Sequence, residues 1–108
     1  MLILIFTRST PISSLKNIPE ELLPLIPGYL ENRSKELLEL RSLVSSNDLE
    51  GIKKIGHKLA GNAGSYGLPE LGAIGAKLEE SVIMDNINSL LNEYESLLKN
   101  YQEDISKL

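Results

Sequence analysis

The chain has 108 residues, a formal net charge of −4, no cysteine and one histidine. That length supports one domain with one core, the acidic balance argues against a general nucleic-acid binder, which needs a basic face, and the missing thiols exclude a disulfide framework, a thiolate metal site and cysteine catalysis. No apolar run approaches the roughly 20 residues that span a bilayer, Leu, Glu, Lys, Ser and Asn carry the composition, which points to an all-helical protein, and the lack of cysteine fits the expected cytoplasmic setting.

The expected elements follow in chain order. MLILIF (1–6) is too short to span a membrane, and its first positive charge, Arg8, follows the apolar run, the wrong order for a secretory signal. It is compatible with a short strand, an extended arm or the remnant of an upstream segment. TRSTPISS (7–14) is small, polar and proline-bearing and reads as a linker. Residues 1–16 are therefore assigned to an N-terminal arm and 17–108 to one helical domain. Asn17 and Glu20 have capping-box spacing and Pro19 suits a first turn, so a short helix is expected to about Leu23, broken near Pro24. Pro27 opens a second helix to about Ser46, with Leu30, Leu37, Leu40 and Val44 as its buried stripe. SSND (45–48) reads as a turn ending in the cap residue Asp48. The next helix turns Leu49, Ile52, Gly56, Leu59 and Ala63 to the core. Gly67 is placed to end it and Pro69 to start the following one, which buries Leu71, Ile74, Leu78 and Val82. Asp85 or Asn86 is the expected break before a last helix with the stripe Ile87, Leu90, Leu91, Tyr94, Leu97, Leu98, Tyr101 and Ile105. Four amphipathic helices on short turns specify an all-α fold, an antiparallel up-down four-helix bundle with a short extra N-terminal helix.

The histidine stands in HKLAGNAGSYGLPEL (57–71), beside residues that weaken helices. With His57 at 0° and 100° per residue, Leu49, Ile52, Leu59 and Ala63 fall between roughly 200° and 280°, so His57 lies off the core stripe. Its face carries Glu50, Lys53, Lys54, Gly61 and Gly64, with Lys58 to one side. A lone exposed histidine is most often an ordinary surface residue, and helical glycines often serve close packing. Packing suits Gly56, Gly72 and Gly75, which lie on or near apolar faces. It suits Gly61 and Gly64 poorly, because each glycine costs about 1 kcal/mol against alanine inside a helix. On an exposed face, access by a partner supplies a reason for that cost. His57 and Glu79 each stand 11 residues from position 68, so an antiparallel hairpin sets them level, roughly 16 Å along each helix. Glu79 adjoins the core residue Leu78 and is expected at the seam, within reach of the imidazole. The ordinary reading of Glu79, beside Glu80, is a solvated surface charge. The alternative is a carboxylate that accepts from one ring nitrogen and leaves the other as an oriented nucleophile.

His57-Lys58-Leu59-Ala60-Gly61, with Ala63, Gly67-Leu68, Leu71 and Leu78-Glu79 downstream, resembles the histidine-containing phosphotransfer (HPt) domain. The likeness covers roughly residues 17–107, and IPGYLENRSKELLEL is similar to the family's second helix. The resemblance implies a four-helix bundle in which His57 is the phosphoacceptor and Gly61 clears space for the docking partner. It implies that Glu79 holds Nδ1 and that Lys58 supports the phosphoryl group. Ala60 departs from the family, which often has Lys or Arg there, so the basic contribution falls to Lys58, Lys53 or Lys54. The docking face is expected to include Lys53, Lys54, Gly64 and Leu68.

The implied function is a phosphorelay carrier. It would accept a phosphoryl group from a receiver-domain aspartate and pass it to another receiver, in a response regulator or a hybrid histidine kinase. The chain has no glycine-rich nucleotide loop, so neither autokinase activity nor a bound cofactor is expected, and Mg²⁺ would come with the receiver. A monomer with no membrane insertion and no nucleic-acid partner is expected. Two other classes compete. A helical interaction module would dock a receiver or kinase domain without accepting phosphate. A metal-binding four-helix bundle needs several inward-facing ligands, and one histidine with no Glu-x-x-His pair does not provide them.

Overall fold

A computed structural model describes residues 15–108; MLILIF and the linker 7–14 lie outside the described residues. A 3₁₀ helix, Glu20–Leu25, leads into α1 (Ile26–Ser45), α2 (Leu49–Ser65), α3 (Pro69–Glu80) and α4 (Met84–Ser106). The expected Asn17–Glu20 capping box is replaced by a tighter arrangement. Pro19 takes the cap position without a side-chain hydrogen bond, and the Ile18 N–H donates to the Leu15 carbonyl. Pro24 donates no backbone bond, and the Leu22 and Ile26 N–H groups on either side of it reach back three residues, to the Pro19 and Leu23 carbonyls, so the segment is 3₁₀ rather than α. Leu15, assigned to the arm by sequence, is buried in the core with Ile18, so packing begins ahead of residue 17.

The α1–α2 turn uses Asn47 at φ 56°, a conformation that Asn tolerates. Asp48 caps α2, its Oδ1 accepting from the Gly51 N–H at 2.9 Å. At the other end of α2, the Gly67 N–H donates to the Gly64 carbonyl at 3.0 Å and the Leu68 N–H to the Ala63 carbonyl at 2.9 Å. That pair of bonds is the Schellman arrangement, and it needs the φ of +79° that Gly67 adopts. The α3–α4 break falls at Ser81–Ile83, not at Asp85 or Asn86. Ser81 is extended and its Oγ donates to the Lys77 carbonyl at 2.7 Å, and two β-branched residues follow. The extended chain turns Val82 outward, 63 % exposed, instead of burying it. Asp85 sits in the first turn of α4, where the helix dipole favours an acid.

The expected stripes otherwise fill the core: Leu30, Leu37 and Leu40 from α1, Ile52, Leu59 and Ala63 from α2, Leu71, Ile74 and Leu78 from α3, and Ile87, Leu91, Tyr94, Leu98 and Tyr101 from α4. Val44, Leu49, Leu90, Leu97 and Ile105 pack against it half-buried. Polar groups tie the helices at the core's edge. The Tyr94 hydroxyl donates to Glu36 Oε1 at 2.7 Å, joining α4 to α1. Tyr29 stacks on Tyr66 with centroids 4.2 Å apart and donates its hydroxyl to Asn62, joining α1 to α2. Arg33 lies over the Tyr29 ring, 4.7 Å from its centroid, and its Nε is 3.4 Å from Glu36 Oε1. The partnerships Ser34–Gln102 and Arg41–Glu95 run in antiparallel order along α1 and α4.

The α2–α3 seam is the tightest. A Cβ added to Gly56 would lie 2.7 Å from the Gly75 carbonyl oxygen and 2.9 Å from the Glu79 nitrogen. One added to Gly75 would lie 2.6 Å from the Ala60 nitrogen and 2.7 Å from the Gly56 carbonyl oxygen. Backbone therefore meets backbone there, with the two helices antiparallel.

Two outcomes follow. Gly67→Ala should cost at least about 1–2 kcal/mol in urea denaturation from the left-handed φ alone, because its methyl would also lie 2.2 Å from the Asn17 carbonyl oxygen. A loss under about 0.5 kcal/mol, the range of a neutral surface change, would contradict this account of the turn. The second outcome concerns alkaline pH. Burial, with Glu36 beside Tyr94 and Glu70 beside Tyr101, keeps both hydroxyls protonated well above the usual tyrosine range. The unfolded chain releases those protons first, near pH ~10. The tyrosine contribution to stability should therefore be fully present below about pH 10 and be lost as pH rises beyond it, and Tyr94→Phe should flatten that alkaline fall in urea titrations.

Candidate functional site

The amphipathic pattern of α2 sends Ile52, Gly56, Leu59 and Ala63 inward and leaves His57 on the outer side. The imidazole side chain is 74 % exposed. Across the seam, α3 buries Leu78 and carries Glu79 beside it, 43 % exposed. Glu79 Oε2 lies 2.9 Å from His57 Nδ1. In the neutral ring with its proton on Nδ1, that N–H donates to the carboxylate and Nε2 keeps its lone pair. Among the described residues nothing hydrogen-bonds Nε2.

Glu50, Lys53, Lys54, His57, Lys58 and Glu79 line one shallow, open depression. Lys54 and Lys58 are exposed and Lys53 is half-buried. Among the described residues none of the three lysines is ion-paired. The stems of such lysines lie along the surface and keep their heads in water, free to meet an anion. One and two turns beyond His57, Gly61 and Gly64 are exposed, and a Cβ on either would meet nothing within 4 Å. The surface beyond the imidazole is bare backbone. No group of three or more His, Cys, Asp or Glu side chains converges on a possible metal position among the described residues.

The structure thus brings His57, Glu79, Lys53, Lys54 and Lys58 together, with Gly61 and Gly64 on the same open side. Leu68 is the exception. Expected as an apolar docking residue, it is fully buried. The Schellman turn makes its N–H reach back to Ala63, and the leucine side chain folds inward with that bond to cover the end of α2. Glu50 lies on the expected face and lines the depression, though sequence reasoning gave it no role.

The family model for the Hpt domain matches residues 25–107, and the chain belongs to that family. Comparison with curated proteins and with solved structures produced no match. Hpt domains are phosphotransfer modules of two-component signalling that work with receiver domains, and the family is one of phosphocarriers. Among the described residues, no helix is long and apolar enough to cross a membrane.

Because a side chain at 61 has open space around it, Gly61→Leu should gain helix propensity and hold or raise the melting temperature. A loss of about 1–3 kcal/mol, the cost of overpacking a core, would mean that position 61 is a packing position.

Proposed function

We propose that this domain is a phosphorelay carrier, with His57 accepting a phosphoryl group from the aspartyl phosphate of a receiver and returning it to the aspartate of another. The observation that carries this reading is the pairing of Nδ1 with Glu79 at 2.9 Å beside an otherwise unengaged Nε2. In the forward step the Nε2 lone pair attacks phosphorus in line, the bond from phosphorus to the acyl oxygen breaks, and the receiver's carboxylate leaves. Positive charge builds on the ring as the N–P bond forms. The Nδ1 proton stays on the ring, and Glu79 stabilises that charge through the hydrogen bond it accepts. The return step reverses these bonds.

Phosphoryl transfer depends on positioning and on neutralising charge more than on covalent help from the protein. Lys58 and, on the same rim, Lys53 and Lys54 supply cations toward the phosphoryl oxygens and toward an acidic receiver face. They take over from the basic residue that Ala60 replaces. Mg²⁺ arrives with the receiver, and this domain binds no cofactor of its own. Gly61 and Gly64 offer an even surface on which a partner can approach the ring closely. Leu68, being buried, has no part in that surface.

Incubation with a phosphorylated receiver should label the chain with acid-labile, base-stable phosphate, and His57→Gln should remain folded and take up none. Persistent histidine-type labelling in that variant would refute the assignment. A receiver that binds without transferring phosphate would identify a docking module instead. Changing Lys53, Lys54 and Lys58 together to Gln should slow receiver-dependent transfer and weaken its dependence on salt, since exposed charges act over about a Debye length. An unchanged salt dependence would remove the lysines from the docking face.

A further inference from the structure

We infer that Gly56 and Gly75 are positioning residues for His57: their backbone-to-backbone contact holds α3 close enough to α2 for Glu79 to reach Nδ1. This rests on the reading of His57 as phosphoacceptor and extends it to residues that touch no reacting atom.

Gly56 is the chain neighbour of His57, and Gly75 lies one turn before Glu79. The Glu79 backbone itself bears on Gly56, its nitrogen 2.9 Å from where a Cβ at 56 would sit. The atoms met by a Cβ at either glycine include backbone atoms of the facing helix, which cannot swing aside as a flexible side chain can. A methyl at 75 must push the helices apart, because contacts of 2.6–2.9 Å have to open to the 3.4 Å of ordinary packing. The same movement carries Glu79 outward and takes its 2.9 Å contact with Nδ1 toward about 3.5 Å, the edge of hydrogen bonding.

The seam is not equally tight at its three glycines. One turn further along the seam, Ala63 faces Gly72, and a Cβ at 72 would meet Ala60 and Ala63 at 3.6 Å, ordinary contact. The seam therefore accepts a methyl there and excludes one beside His57. Of the seam glycines, the two nearest His57 and Glu79 leave the least room.

The test combines Gly75→Ala with Glu79→Ala and uses Gly72→Ala as the control. Imidazole ¹⁵N spectra report which ring nitrogen carries the proton, and phosphoramidate labelling reports nucleophilicity without a docking partner. Gly75→Ala should shift the ring away from the Nδ1–H form and slow labelling per folded molecule by about tenfold, the low end of the range for loss of an orienting partner. In the Glu79→Ala background it should add no further slowing, because the two changes act through one hydrogen bond. Gly72→Ala should match the parent in both readouts. Retention of the Nδ1–H form in Gly75→Ala, or equal slowing in both backgrounds, would overturn the inference. If Gly75→Ala does not fold, Glu79→Asp tests the same span, since it shortens the reach and leaves the seam intact. It should also lose the Nδ1–H form, and keeping it would show that the spacing is not limiting. The nitrogen spectra need no phosphate. Absence of labelling in the parent chain would therefore count against the phosphoacceptor reading and leave this inference to be decided on the ring proton.

Discussion

The direct meeting of backbones at Gly56 and Gly75 is the constraint on which the site depends. Two helices joined by a short glycine turn are bound to lie side by side, but their separation is set by the side chains between them. With no side chain at either position, α2 and α3 approach to contact. Each glycine gives up roughly 1 kcal/mol of helix propensity. The return is a short span between one side chain on each helix, His57 and Glu79, which meet directly. The long helices α1 and α4 serve this pair at a distance. They cover the inner faces of α2 and α3 and are tied to them at Tyr29–Asn62 and Tyr101–Glu70.

The chemistry divides along the same line. What must be fixed is built into helix: the ring, the carboxylate and the seam between them. On the proposed docking side stand three exposed or half-buried lysines without ion-pair partners among the described residues. In a chain whose formal net charge is −4, those lysines make the surroundings of His57 locally basic. Fields of that kind steer an anionic partner to one face without raising affinity everywhere. Rigid chemistry suits the proposed carrier, which would have to give its phosphoryl group away as readily as it takes it.

Much of this was legible in the residues. Helical periodicity marks the four core stripes, and the equal distance of His57 and Glu79 from the Gly67–Leu68 turn places them level from sequence alone. That inference works because α2 and α3 are regular and the turn is short, so counting residues is counting ångströms. It fails where geometry is set by something other than period. Leu68 reads as an exposed turn residue, but the hydrogen bond from its own N–H to Ala63 draws it into the core. The break at Ser81–Ile83 contains no glycine, proline or asparagine. It is made by an extended serine whose hydroxyl takes the Lys77 carbonyl, a local bond that composition does not announce. Asn17 and Glu20 have cap spacing, but Pro19, between them, takes the cap position itself. The packing role of Gly56 and Gly75 was visible from their apolar faces. Their consequence for the imidazole was not, because it depends on the distance between two backbones.

The central claim is that Glu79 occupies Nδ1 and leaves Nε2 as the nucleophile. Phosphorylating ¹⁵N-labelled protein with a phosphorylated receiver and locating the phosphorus by ¹⁵N–³¹P coupling tests it most directly. The account predicts phosphorus on Nε2 of His57 with the proton still on Nδ1, and phosphorus on Nδ1 or on any other residue would contradict it.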